Sequence, residues 1–292
     1  MSHVLRAGDA AAPPFILEIT PKSAGWDYSG LRILALAPGQ SETLGTDDCE
    51  YVVVSLGGAA EVTVDGQTYA LEGRSSVFAG PSDVVYAPRD AELSVTSAAG
   101  GRFALASSVC ANRLAPAHLA KAEVPVEMRG AGQSSRQVNN FAVPGVLEAD
   151  RLIACEVLTP GGNWSSWPPH KHDEERDGET ALEEIYYFEI ADGPGGPGIG
   201  FQRVYGHPGA DIDVTAEVHT GDAVLIPHGW HGPSIAAPGY DLYYLNVMAG
   251  PGAERAWLIC DDPAHAWVRD TWADLEVDPR LPFGAASGGG VR

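Results

Sequence analysis

The sequence predicts an all-β protein folded as two barrel-like lobes. Its 35 glycines and 22 prolines recur at short intervals, and the stretches between them are rich in Val, Ile, Tyr and Phe, the punctuation of strands and turns. Turn signals return roughly every 8–12 residues through two series of about 100 residues each, the spacing of a sandwich or barrel. The two series also echo each other. EYVVVSL at 50–56 and EEIYYFEI at 183–190 each open on Glu and lead into a Gly-rich turn, and GRSSVFAGP at 73–81 holds the place of GDAVLIP at 221–227.

In the first series, strands are expected at residues 31–36, 50–56, 60–64, 68–71, 76–78, 84–87, 92–96 and 102–107. Asp65-Gly66 between two alternating runs is the strongest hairpin signal in the chain. Residues 111–150 read as a linker, with a helix over 116–122 and then RQVNNF at 136–141. The second series predicts strands at 152–158, 184–190, 200–205, 213–218, 223–226, 234–236, 240–248 and 257–259. The resulting division is a first lobe over 1–110, the linker, a second lobe over 151–278 and a flexible tail over 279–292 that ends GAASGGGVR.

Composition narrows the class of protein. With 18 Lys+Arg against 39 Asp+Glu, the net charge is −21, which argues against nucleic acid or an anionic membrane surface as a partner. No apolar run is long enough to span a bilayer, and MSHVLRAGDAAAPPF has no apolar core of a secretory signal. A cytoplasmic location is expected. Cys49, Cys110, Cys155 and Cys260 form no CxxC and read as reduced thiols.

Seven of nine histidines fall in the second lobe. His170 and His172 stand two apart after Pro168-Pro169, so on a strand both imidazoles face one side, a pairing suited to a cation such as zinc. In 183–190 the alternation puts Glu184, Tyr186 and Phe188 on one face, so one of Glu183 and Glu184 points inward. His228 and His231 follow the strand 223–226, just past Pro227. Three His and one Glu complete a metal site with open positions for substrate oxygens. The acidic stretch DEERDGETAL also offers Glu174, Glu175 and Glu179 as rivals for the fourth ligand; Glu184 is preferred because it opens a strand.

These residues resemble the cupin superfamily, whose motifs are G-x5-HxH-x3,4-E-x6-G and G-x5-PxG-x2-H-x3-N. Gly221, Pro227 and Gly229 match the second motif, although His231 comes one residue early and no Asn stands four beyond it; Glu184 lies twelve residues after His172 because of the acidic insertion. PPHKHDE, LEEIYYFEI, GFQRVYG, SRQVNNF and APGYDLYYLNVMAGP at 237–251 are similar to the 5-deoxy-glucuronate isomerase family of myo-inositol catabolism, related to the ketol-isomerases of pectin breakdown. The resemblance implies two cupin (double-stranded β-helix) barrels and one divalent metal per chain in the second, held by His170, His172, Glu184 and His231. Zinc is the first expectation, with manganese or iron as alternatives. It further implies the interconversion of 5-deoxy-D-glucuronate and 5-dehydro-2-deoxy-D-gluconate, a small anionic sugar acid as partner, and a homo-oligomer. A silent sugar-binding cupin and a metal-dependent cupin dioxygenase share the same ligand set.

An anionic substrate needs a cation inside this acidic chain. Arg203, with Gln202 beside it, and Arg136 in RQVNNF are the candidates for substrate binding. Alternation in 240–246 groups Asp241, Tyr243 and Leu245 opposite Leu242, Tyr244 and Asn246. If the first set faces the barrel, Asp241 and Tyr243 handle protons, with His228 as a third catalytic candidate. Lys171, between the two histidines, points away and is expected to be solvated. The first lobe has no His between residues 4 and 117 and no comparable metal site.

Overall fold

Two antiparallel barrels pack side by side through a shared apolar layer. The computed structural model describes residues 2–284. In the first lobe, strands run side by side in the order Ala117–Leu119, Val84–Ala87, Cys49–Val64, Gly101–Val109, Ser29–Leu36 and Phe15–Ile19. Gln67–Arg74 and Glu92–Ser97 pair with the far half of Cys49–Val64, and Gln40–Gly45 pairs with Glu92–Ser97. The strands expected at 50–56 and 60–64 are therefore one, bent between two sheets. Gly58 permits the bend: its φ is +105°, and a Cβ there would lie 2.7 Å from the Gly100 carbonyl oxygen.

The second lobe has a seven-stranded sheet in the order Val4–Leu5, Ala223–Ile226, Glu183–Ile190, Leu242–Ala249, Ile153–Thr159, Arg136–Ala142 and Val126–Arg129. Facing it is a sheet of Ala210–Val218, Gly200–His207, Trp230–Ala236, His170–Lys171 and Cys260–Asp261, with Trp164–Ser165 on Trp230–Ala236.

Several expected boundaries move. RQVNNF is a strand of the second lobe, while Val4–Leu5, from the chain's start, pairs with Ala223–Ile226 of that lobe. The helix expected at 116–122 is a strand, Ala117–Leu119, against Val84–Ala87, followed by a 3-10 turn. So short a segment cannot meet the cost of helix nucleation, and a free sheet edge takes its backbone groups. Residues 76–78 form a 3-10 turn over Val77–Ala79, and the strand expected at 257–259 is displaced to Cys260–Asp261. Of the tail, 279–284 is anchored: the Phe283 amide donates to Gln137 Oε1 at 2.6 Å and its ring lies 6.1 Å from that of Phe78. Residues 285–292 lie outside the described residues. All four cysteines are free thiols.

The apolar runs make sense once both faces of the central strands are followed. Val53 points into the first barrel with Leu34, Leu93 and Phe103. Its neighbours Val52 and Val54 turn outward into the apolar layer that also holds Ile185, Tyr187, Leu245 and Val247 of the second lobe. Tyr186, Phe188 and Tyr244 in turn fill the second barrel. A strand buried on both faces reads as a continuous apolar run.

The two glutamates that open the echoing strands clasp the lobes reciprocally. Glu50 accepts the amides of Asp150, Arg151 and Leu152 at 2.7–2.8 Å. Glu183 accepts those of Asp27, Tyr28 and Ser29 at 2.8–2.9 Å. Each carboxylate satisfies amides that lead into a strand of the other lobe, Ile153–Thr159 or Ser29–Leu36.

Candidate metal centre

Four donors converge inside the second barrel. His170 stands directly opposite His231 across the strand pair, with ring centroids 4.3 Å apart. The His172 ring is 4.7 Å from that of His231, and ligand atoms of all three histidines lie within 4.8 Å of one another. From the opposite sheet, Glu184 Oε2 reaches to 3.1 Å from both His172 Nε2 and His231 Nε2. Gly232 lets the His231 strand come close: its φ is +108°, and a Cβ there would stand 1.8 Å from the Ser166 carbonyl oxygen.

Hydrogen bonds behind the imidazoles fix which nitrogen faces inward. His172 Nδ1 bonds the Leu182 carbonyl at 3.2 Å and His231 Nδ1 the Gly229 carbonyl at 3.1 Å. As Nδ1–H donors, both rings turn a lone pair at Nε2 toward the centre, the arrangement that orients metal-binding histidines. Asn246 Nδ2 donates to Glu184 Oε1 at 2.7 Å, leaving Oε2 for the centre. His231 Nε2 is buried without an aligned hydrogen-bond partner. A buried, orphaned acceptor among two other imidazoles and a carboxylate fits a divalent cation.

The electrostatics agree with four groups held close. Burial pushes His170 well below its ordinary pKa, and the neighbouring imidazoles of His231 and His172 push the same way. Burial also works against a charged His172, but the Glu184 carboxylate outweighs it and leaves that imidazole above its ordinary value. Glu184 itself, despite burial, is held below the usual carboxylate range by His172 and His231.

The acidic insertion braces this centre. Asp173 accepts Lys171 Nζ at 2.6 Å, His207 Nε2 at 2.8 Å and the Gly229 amide at 2.7 Å, tying the His172 segment to the turn before His231. Lys171 does point away, yet it is buried, with Glu179 2.7 Å from its ammonium. Glu179 is thereby consumed in a buried ion pair that also includes Arg176. Glu174 and Glu175 remain exposed.

The structure does not bring the proposed catalytic residues to the centre. Tyr243 faces the other lobe and donates to Glu156 Oε1 at 2.8 Å. Asp241 precedes the strand and accepts the Gly161 amide at 2.8 Å. His228 sits 3.3 Å from the Asp211 carbonyl on an outer turn. Gln202 is buried in the barrel wall, where it accepts the Ser234 hydroxyl and donates to the Arg203 carbonyl at 3.2 Å. Arg203 is engaged by Asp213 and by the Val204 and Val214 carbonyls. Arg136 alone among the substrate candidates lines a cavity with His170, together with Arg129, Trp257, Ile259 and Arg269.

Tyr186 and Tyr244 lie in the second barrel, Tyr186 6.1 Å from the His231 ring, and neither is among the catalytic candidates the sequence suggests. Their rings stack at 4.8 Å, and Ser166 Oγ lies 2.9 Å from one hydroxyl and 3.0 Å from the other. Leu242, Tyr244 and Asn246 share the face that looks into the barrel, a parity that burial of the strand on both faces hides in the sequence.

Comparison with known proteins places this geometry. The family model described as KduI/IolB matches residues 3–268. The chain belongs to the KduI/IolB family. Within that family, it is 40% identical over 261 residues to the 5-deoxy-glucuronate isomerase of Geobacillus kaustophilus (strain HTA426), covering 88% of this chain and 91% of that protein. Identity to the 5-deoxy-glucuronate isomerase of Geobacillus thermodenitrificans (strain NG80-2) is 42% over 271 residues, or 88% and 92% of the two chains. The crystal structure of an IolB-like protein from Salmonella typhimurium LT2 superposes with a TM-score of 0.82 at 35% identity, covering 91% of this chain and 98% of the other. Outside the family, Lactobacillus farciminis oxalate decarboxylase shares the fold at TM-score 0.60 and 14% identity, over 84% and 82% of the chains. KduI/IolB membership and this likeness fit the observed architecture of two cupin barrels in one chain.

Proposed function

We propose that the chain is a metal-dependent aldose–ketose isomerase that interconverts 5-deoxy-D-glucuronate and 5-dehydro-2-deoxy-D-gluconate. Support comes from the convergence of His170, His172, Glu184 and His231 on one buried point, in a family whose relatives above carry the name 5-deoxy-glucuronate isomerase. A divalent cation, zinc by preference for three imidazoles and a carboxylate, with manganese or iron as alternatives, would supply Lewis acidity to a carbonyl and its neighbouring hydroxyl. The isomerisation moves one hydrogen between adjacent carbons, through a base and an enediolate or as a hydride shift, and another between their oxygens.

The hydroxyls of Tyr186, Ser166 and Tyr244 form a continuous set of exchangeable protons beside His231, whose ring lies 6.1 Å from that of Tyr186. Burial pushes both tyrosines above their ordinary pKa, which favours the neutral phenol. Tyr244→Phe is expected to lower kcat by at least about 10²-fold at full metal content, the lower end for a positioned acid or base. Tyr243→Phe, on the opposite face, should change kcat by no more than about twofold and cost about 1 kcal/mol of stability, the net value of one hydrogen bond. A reversed pair of results would restore Tyr243 as the proton carrier.

The same reading makes the protein cytoplasmic and homo-oligomeric, with a small anionic sugar as its partner. Among the described residues, no helix is long and apolar enough to cross a membrane. The deciding assay is turnover of 5-deoxy-D-glucuronate by freshly purified protein without oxygen, followed by NMR, alongside elemental analysis. Isomerisation that a chelator abolishes and the divalent metal restores is the expected result. Binding without turnover would make it a silent sugar-binding cupin, and oxygen consumption with a new oxidised product would make it a dioxygenase.

A further inference from the structure

We infer that Arg136 is the anchor for the substrate's carboxylate, in the wall of the cavity that His170 shares; this rests on the isomerase reading and identifies how its substrate class is selected. Three arginines line that cavity of about 240 Å³: Arg129, Arg136 and Arg269. Two are already matched. Arg129 grips Glu127 with two hydrogen bonds of 3.0 and 2.8 Å, and Arg269 holds both oxygens of Asp261. Among the described residues, no carboxylate pairs with Arg136. Only its Nη1 is engaged, by the Ser134 carbonyl at 3.0 Å and the Trp167 carbonyl at 3.3 Å.

This is an unusual place for a lone cation. Arg136 is 5% exposed, and its guanidinium lies over the Trp272 ring at 5.5 Å. Burial, with Arg129 and Arg269 nearby, pushes its pKa down to about 10. A buried charge of this kind is normally paired, because leaving it alone costs far more than an exposed one. The same wall is short of acceptors: the indole nitrogens of Trp257 and Trp272 are buried without partners. One bound carboxylate would pair the guanidinium's free edge in the bidentate geometry that arginine favours.

The position also explains how a chain of net charge −21 accepts an anion: the surplus positive charge is local and inside the cavity. At about 240 Å³ the cavity is a little below the ~300–1,000 Å³ typical of drug-sized ligand sites, a size for a small ligand such as a monosaccharide acid. Two stretches supply the arginines, Arg129 and Arg136 from neighbouring strands and Arg269 from the 3-10 segment Ala266–Asp274. That segment also supplies Trp272, on whose ring the Arg136 guanidinium rests.

The test measures binding apart from turnover. Metal-loaded protein is titrated with D-glucuronate and with its uncharged isostere D-glucuronamide, read by calorimetry and by tryptophan fluorescence. Wild type should prefer the carboxylate by about tenfold or more, the value of a charge-assisted contact. Arg136→Met should erase the preference, and Arg136→Lys should restore only part of it. If Arg136→Met does not fold, the Lys variant decides, since an unchanged preference there rules out bidentate capture. Equal affinity of wild type for the two probes, or a preference kept in Arg136→Met, overturns the assignment. Preference without isomerisation refutes the proposed function and leaves the anchor standing; isomerisation without preference does the reverse.

Discussion

Replacing His231 with alanine is expected to strip the divalent metal from the protein, weakening its binding by more than the ~100-fold that marks the upper end for outer partners of a metal site. His231 is the group with most to lose. It stands between the other two rings, its Nε2 is 3.1 Å from Glu184 Oε2, and among the described residues that nitrogen has no aligned hydrogen bond that would survive as a substitute for coordination. Glu184→Gln should act in the same direction, because it removes the one anionic donor facing three imidazoles. Asn246→Leu should give an intermediate loss of about 10–100-fold, since Asn246 only orients Glu184. Glu174→Gln and Glu175→Gln should leave metal content unchanged, both side chains being exposed. Competition with a fluorescent chelator, checked by elemental analysis and circular dichroism, reads the whole series. Full metal content in a folded His231→Ala variant would refute the ligand set, and loss in a loop variant with Glu184→Gln intact would move the fourth ligand into the insertion.

How much of this was written in the sequence depends on whether the relevant contact is local. The strand 223–226 and the histidine pair 170/172 were legible because period-two alternation and adjacent Pro and Gly act over a few residues. The parity of Tyr243 and Tyr244 was not. The strand Leu242–Ala249 is buried on both faces, so polarity could not say which face met the metal barrel and which met the other lobe. Arg203 drew attention by sitting on a metal-lobe strand, yet Asp213 across its hairpin neutralises it. Arg136 owes its isolation to its neighbours' pairing: Glu127 on the adjacent strand is gripped by Arg129 and Asp261 by Arg269, a property of the assembled cavity. Likewise, the capture of Glu179 by Lys171 and Arg176 turned an apparently solvated acid into a buried structural one. The reciprocal clasps of Glu50 and Glu183 show why both echoing strands open on Glu, although the echo alone did not reveal what those carboxylates bind.

The largest stability effect is expected at Glu156, on the face of the second barrel that meets the first lobe. Glu156→Leu should destabilise the protein by about 3–5 kcal/mol, the usual cost of removing one partner from a buried ion pair. Arg74, from the first lobe, is fully buried and contacts both Glu156 oxygens. Its other donors go to the Ser55 and Gly80 carbonyls at 2.8 Å. Glu156 also accepts Tyr243 Oη at 2.8 Å and Asn139 Nδ2 at 3.0 Å. Burial alone would favour a neutral Arg74, but the Glu156 charge outweighs it, so the leucine variant leaves a charged guanidinium with no counterion. The double variant Arg74→Met/Glu156→Leu removes both charges and should be more stable than Glu156→Leu alone, because the desolvation cost disappears with the pair. In thermal unfolding, the single variant should melt lower by roughly 5–15 °C, scaling from a few degrees per kcal/mol for chains of this size. Metal content should stay at the wild-type level, as Glu156 lies on the sheet face opposite the histidines. A Glu156→Leu variant within about 1 kcal/mol of wild type would mean that water or a shifted side chain replaces the carboxylate. A double variant no better than the single would show that the polar network as a whole, including Tyr243 and Asn139, holds the lobes together, rather than the ion pair at its centre.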